Sequence, residues 1–500
     1  MPPLNILFLC TDQQRRDSLS VYGNRIVRTP AGDRLAREGV VFDHAYTPSA
    51  ICTPTRATFL TGVWPFRHKL LANFERNVGY ITELPDDTVT FAQYLKCAGY
   101  RVGHVGKWHV GQEKGPEDFG LEGEHYPGWG PPVNHPDYLR YLDERGLPRF
   151  SVRGELRGTF PNGQPANPIL GVYEGPAEGL FDYFIAERTI ERLREYARGY
   201  HDTGQPFYLN CHWFGPHLPH FIPESYLAMY DPDAIPLPAS MAETFHNKPI
   251  VQRHYSAHWT FHSFDQHTWR RIIAAAWGYG TLIDEQMSRI LDTLDQLNLA
   301  DNTLVVFTCD HGEFTGAHRL NDKGPAMYDD IYRVHCLARL PASAGGLRGR
   351  RGEHMVSLVD LPATWLNAAG LPVPDHFDGH SILPLLRDEP PSDWRDDVLC
   401  EFHGHHFPYP QRMLRTARHK LIINPPDVNE LYDLQEDPHE LVNQIDNPAY
   451  AAVRRDLMRR LYRQLRARGD NFYHWMTTMF EVDVPEHEDA SLSGFGPRSL

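Results

Sequence analysis

Four short apolar runs in this chain stop at residues able to do chemistry, and that pattern limits the fold more than any other feature. The run NILFLC, residues 5–10, leads into Thr11-Asp12-Gln13, and YRVGHVGKWH, residues 100–109, ends in Lys107 and His109. PFYLNCHWFGPH, residues 206–217, carries His212 and His217, and TLVVFTC, residues 303–309, leads into Asp310-His311-Gly312. Continuous β-branched and aromatic runs of this length read as strands covered on both faces, which predicts a parallel sheet. Amphipathic helical stretches lie between them. The clearest is around 274–297, with Ile283, Met287, Ile290, Leu291, Leu294 and Leu297 on one stripe. The alternation predicts an α/β protein built on a large, doubly wound, mostly parallel sheet flanked by helices. In such sheets ligands collect beyond the carboxyl ends of the strands, which is where the Asp and His residues fall.

The texture changes near residue 370. A Pro- and Asp-rich stretch is followed by strand-like pieces (VLCEFHG, RMLRTARHKLIIN, NELYDL) and a basic amphipathic helix striped with Val453, Leu457, Leu461 and Leu465. The expected organisation is a catalytic domain over 1–375, a connection over 376–395, a smaller α+β domain over 396–485, and an arm or disordered tail over 486–500.

Composition removes several classes. A formal charge of -15 over 500 residues argues against a nucleic-acid partner, for which a basic face is expected. No run of 18 apolar residues occurs, and the first residues lack the basic segment and apolar length of a signal peptide. A cytoplasmic chain with no membrane span is expected, and homo-oligomers are compatible with it. The seven cysteines are scattered, odd in number and without C-x-x-C, a reduced-compartment pattern. Cys10, Cys97, Cys211, Cys309, Cys336 and Cys400 read as small buried residues.

Cys52 stands apart, in AICTPTRATFLTG at residues 50–62. A tyrosine-phosphatase loop needs C-x5-R, but six residues after Cys52 comes Thr58. Chance supplies about 0.06 C-x-P-x-R matches in a chain of this composition. Pro54 followed by helix-compatible residues places Cys52 near a helix N-terminus, which favours anions. Arg56, one turn on, shares its face, where it would hold an ionised oxygen on residue 52. Lys107 and His109, two apart in a strand, are expected on one face, a cation beside a base.

The longer string C-x-P-x-R-x-x-x-L-T-G resembles the sulfatase signature. The Asp12 strand, GKWHVG, GPHLPHFIPESYLAMYDPDAIPLP, CDHGE and RTARHKLI…NELYDLQEDPHELVN resemble further sulfatase landmarks in the same order, from residue 4 to about 445. The resemblance implies an alkaline-phosphatase-like fold. It also implies that a maturation enzyme converts Cys52 to formylglycine. It names Asp12, Gln13, Asp310 and His311, with residue 52, as ligands of one divalent cation, Ca²⁺ or Mn²⁺. Lys107, His109, His217 and Lys323 would line a small anionic ester, with Asn73 beside them. The implied reaction is hydrolysis of a sulfate monoester. The aldehyde hydrate attacks sulfur, His217 donates a proton to the leaving oxygen, and His109 helps the hydrate expel sulfate.

The metal-site pairs depart from the common sulfatase pattern, and the strand pair keeps it, so the two signals conflict. Asp12-Gln13 and Asp310-His311 replace Asp-Asp and Asp-Asn, and the Asp-His pair resembles phosphonate monoester hydrolases and choline-sulfatase-like enzymes. A nitrogen ligand and one fewer carboxylate soften the site and move preference from Ca²⁺ towards Mn²⁺. Lys107-x-His109 is the sulfatase arrangement, where phosphonate hydrolases resemble Tyr-x-Thr. Sulfate monoesters are therefore the expected class, with phosphonate monoesters or phosphodiesters as the alternative and a non-catalytic glycan-binding protein as a distant third. The His-rich stretch 254–267 lacks standard zinc spacing and reads as a lid or a subunit contact. A substrate contact is expected from the second His-rich stretch, 401–412, at position 402.

Overall fold

The computed structural model describes residues 3–476, apart from Pro161 and Trp475; the expected tail and the end of the expected small domain lie outside the described residues. Nine strands form the main sheet. Its spine is Asn5–Thr11, paired in parallel with Phe207–His212 on one side and Thr303–Cys309 on the other. Arg101–Lys107 and Glu122–Tyr126 extend the first side, also in parallel. On the other side Cys336–Arg339 runs antiparallel between Thr303–Cys309 and Val40–Tyr46. Arg333–Val334 and Arg350–Ser357 both pair with Val40–Tyr46. The sheet is mostly parallel, as its apolar runs predict.

The spine shows why those runs are continuous. Ile6, Phe8 and Cys10 belong to the core on one face, with Phe59 and Trp365. Leu7 and Leu9 belong to the core on the other, with Ile283, Met287 and Leu294 of the helix Gln266–Gln296. Each large side chain so covered contributes roughly 1.5–3 kcal/mol. That helix starts well before residue 274, where the Asp265 side chain accepts the Thr268 N–H at 2.7 Å and caps it.

The chain then builds an antiparallel four-stranded sheet, Asp397–His405, Phe407–Thr416, His419–Ile423 and Glu430–Asp433. Helix Ala451–Arg468 covers it with Leu457, Leu461 and Leu465, against Leu414, Leu421 and Leu431. A third sheet, Val152–Thr159, Pro165–Tyr173 and His220–Pro223, has no counterpart in the sequence reading. All seven cysteines are free, and Cys97 is exposed rather than buried because it ends a surface helix. Among the described residues no helix is long and apolar enough to cross a membrane.

Candidate active site

Parallel register brings the chemically able strand ends level. Thr11 pairs with Cys309 and Cys10 with His212, so Asp12-Gln13, Asp310-His311 and the segment leading to His217 leave the sheet at one edge. Only glycine fits at Gly312, where a Cβ would lie 2.1 Å from the Asp330 carbonyl oxygen. Into this edge helix Cys52–Thr61 points its N-terminus, with all ten of its residues buried. Pro54 occupies the first turn, where no intrahelical N–H is lost. Gly62 ends the helix in the left-handed region, at φ 70°. The sequence of this segment thus fixes Cys52 at the positive end of a buried helix. The Asn73 side chain accepts the Thr53 N–H at 3.0 Å, beside residue 52.

Asp12, Cys52, Asp310 and His311 meet here, all buried, with their donor atoms within 4.8 Å of one another. Cys52 Sγ lies 3.2 Å from His311 Nε2 and 3.8 Å from Asp12 Oδ1. His311 Nδ1–H donates to the Gly312 carbonyl at 2.8 Å, which leaves Nε2 bare. Asp310 Oδ1 accepts the backbone N–H groups of Gln13 and His311 at 3.0 and 2.9 Å. Two carboxylates, a bare imidazole nitrogen oriented by a carbonyl, and residue 52 fit a divalent cation. Gln13 departs from expectation. Its Oε1 accepts from Lys323 Nζ at 2.7 Å, and its Nε2 is buried without a hydrogen-bond partner among the described residues.

Arg56 serves the carboxylates rather than residue 52. It donates to Asp310 Oδ2 at 3.0 Å and Asp12 Oδ2 at 2.8 Å, to the Lys107 carbonyl, and to His212 Nδ1. Lys107 likewise contacts Asp12 Oδ2 at 2.7 Å and the Trp129 carbonyl at 2.8 Å, its side chain wholly buried. The expectation that Lys107 and His109 share a strand face is corrected. The strand ends at Lys107, and His109 lies beyond it with φ 51°, its ring edge-on to Phe74.

Beside this group opens a cleft of about 490 Å³ lined by His109, His217, Lys323, Asn73, Trp129 and His405, among others. Lys323 Nζ donates to His217 Nε2 at 3.0 Å and to Asp322 Oδ1 at 3.1 Å. His217 Nδ1–H bonds the Leu218 carbonyl, so its Nε2 is the acceptor from Lys323. The contact expected at position 402 does not form: Phe402 is wholly buried in an apolar cluster with Cys400 and Met413. The histidines of that stretch that reach the cleft are His405 and His406. Trp129, Asp322 and Glu75 also escaped the sequence reading. Asp322 had a signal, since it directly precedes Lys323 in a polar loop; Trp129 sits in the Gly/Pro-rich stretch PGWGPP.

Electrostatics sort these groups. Burial and Asp12 push the Cys52 thiol up to about 12, so it is not poised as a thiolate. Burial opposes the charge on Asp12, but Lys107 and Arg56 outweigh it and hold the carboxyl well below its usual range. Burial, then Lys107, keeps His109 neutral; burial, then Lys323, does the same for His217. Burial disfavours the Lys323 charge, yet Asp322 more than restores it. Three cations (Arg56, Lys107, Lys323) thus face three carboxylates (Asp12, Asp310, Asp322). A divalent ion held beside this balanced set would leave it with excess positive charge.

Known proteins resemble this chain along most of its length. An uncharacterized sulfatase of Escherichia coli strain K12 is 29% identical over 498 residues, covering 96% of this chain and 91% of the relative. An arylsulfatase of Clostridium perfringens is 27% identical, covering 94% of this chain and 95% of the relative. Among solved structures, the phosphonate monoester hydrolase of Agrobacterium radiobacter superposes with a TM-score of 0.76 at 25% identity, covering 93% and 95% of the two chains. Residues 316–467 match the C-terminal family model of N-sulphoglucosamine sulphohydrolase. The sulfatase family model matches residues 4–371, and the chain belongs to the sulfatase family.

Proposed function

We propose that this protein hydrolyses sulfate monoesters at the group formed by Cys52, Asp12, Asp310 and His311, with Cys52 converted to formylglycine. The observation that carries the reading is the placement of Cys52: buried, at a helix N-terminus, within reach of two carboxylates and a bare imidazole nitrogen. Burial and Asp12 hold the Cys52 thiol protonated where no cation is bound, which weighs against a free thiolate nucleophile.

Asp12, Asp310 and His311 would hold one Ca²⁺ or Mn²⁺ ion beside residue 52, with the Gln13 amide adjacent. The ion would supply positive charge to the sulfuryl oxygens and acidify a hydroxyl of the residue-52 hydrate. Arg56 keeps Asp12 ionised and holds both Asp12 and Asp310 in place. The hydrate oxygen forms a bond to sulfur as the bond from sulfur to the leaving oxygen breaks. With the Lys323 charge engaged by the ester oxygens, His217 takes a proton from solvent at Nε2, the atom 3.0 Å from Lys323 Nζ, and passes it to the leaving oxygen. His109, held neutral, takes the proton of the second hydroxyl; the carbonyl reforms and sulfate departs. A small organic sulfate is the partner in the cleft, and a formylglycine-generating enzyme is the partner in maturation.

Phosphonate monoester hydrolysis is the second reading, favoured by the Asp310-His311 pair and by likeness to the Agrobacterium radiobacter enzyme. Both readings use a monoanionic ester.

Burst kinetics test the proton roles. In His109→Ala the first step proceeds and the second stalls. We expect a burst of about one leaving group per site and a steady rate lower by about 10²–10⁴-fold. In His217→Ala the burst itself slows, most for poor leaving groups. An unchanged steady rate in His109→Ala refutes its role.

A further inference from the structure

We propose that Glu75, His405 and His406 form a second metal site, for a borderline divalent cation of the Zn²⁺ class, at the mouth of the cleft. Their donor atoms lie within 4.8 Å of one another, and all three residues line the cleft. They come from far apart in the chain. Glu75 follows Asn73 and Phe74, while the two histidines form the turn between Asp397–His405 and Phe407–Thr416.

Adjacent residues of a regular strand point to opposite faces. Here His406 has φ 68°, and the turn sets the two rings with centroids 3.8 Å apart. The Asn77 amide donates to the His406 carbonyl at 2.9 Å, and the His406 N–H reaches Glu75 Oε1 at 3.4 Å, which joins the two segments. Glu75 Oε2 is buried and has no hydrogen-bond partner among the described residues.

The tautomer of His405 follows from Tyr255. That hydroxyl has one proton, given to the Lys323 carbonyl at 2.6 Å, so towards His405 Nδ1 at 3.3 Å it accepts. His405 therefore carries its proton on Nδ1, and Nε2 is a bare donor facing Glu75. An imidazole fixed through its far N–H is the usual form of a metal-ligating histidine. Nε2 lies 3.8 Å from Glu75 Oε1, too far for a hydrogen bond. The spacing is near the ~3.4 Å ligand-to-ligand edge of a tetrahedron with bonds of about 2.1 Å. Two imidazoles and one carboxylate select a Zn²⁺-class ion over Ca²⁺ and leave a fourth position for water or a ligand oxygen.

The proposal is independent of the sulfatase reaction and is tested by zinc stoichiometry. Metal-free full-length protein is titrated with ZnCl₂ against a chromophoric chelator. Glu75→Gln, which preserves shape, should bind one equivalent fewer than wild type at micromolar zinc, and so should His405→Ala. Asp310→Ala should keep the equivalent that Glu75→Gln loses, and with Co²⁺ should show the visible absorption of a tetrahedral site. Equal zinc stoichiometry in wild type and Glu75→Gln overturns the proposal, whether the residues form only an ion pair or no site at all.

Discussion

Cys52→Ala is expected to abolish turnover, by about four orders of magnitude or more, the scale on which loss of a covalent nucleophile acts. The fold should survive, because the change removes one small buried atom from a helix held by its other nine residues. Cys52→Ser is the sharper variant. A serine oxygen can attack sulfur but has no second hydroxyl with which to expel sulfate, so at most about one leaving group per chain is released. In wild-type protein coexpressed with a maturation enzyme, the peptide containing ICTPTR should be about 18 Da lighter than its unmodified form, as sulfur and two hydrogens give way to one oxygen. Near-wild-type activity in Cys52→Ala would show that residue 52 is not the nucleophile.

Asp310→Ala should lose both metal and activity, the latter by more than 100-fold, since even partners of metal ligands are worth about 10–100-fold. A stability loss should accompany it. Asp310 accepts from Arg56 Nε and from the Gln13 and His311 N–H groups, and Arg56 is 1% exposed. Removing one partner of such a buried pair costs about 3–5 kcal/mol. Elemental analysis should show His311→Asn shifted towards Ca²⁺, because an imidazole nitrogen is exchanged for an amide oxygen. Full metal content in Asp310→Ala would refute the ligand assignment.

What the sequence disclosed, it disclosed through periodicity and adjacency. The strands ending at Thr11 and Cys309 are legible because burial on both faces demands unbroken apolar runs, and their ends then place Asp12 and Asp310 together. The helix beginning at Cys52 is legible from Pro54 and the helix-compatible residues after it. Backbone excursions were not: His109 at φ 51° and Gln13 at φ 56° break the strand geometry that alternation assumes. Nor were long-range pairings. Nothing local says that Arg56 will bind both carboxylates, or that Glu75 will meet His405 across 330 positions of chain. The sheet at Val152–Thr159 and Pro165–Tyr173 was missed because its first strand is mostly exposed and reads as a polar loop.

The most direct test of the account is one comparison of kcat/KM, on metal-loaded protein with residue 52 converted, between 4-nitrophenyl sulfate and the 4-nitrophenyl monoester of phenylphosphonate. The leaving group is common to both, so the ratio reports the central atom. If the cationic site with His109 serves sulfate expulsion, the sulfate ester gives the higher value, and the phosphonate is a weaker side activity. A higher value for the phosphonate would contradict the account and make the Asp310-His311 pair the better guide to the chemistry.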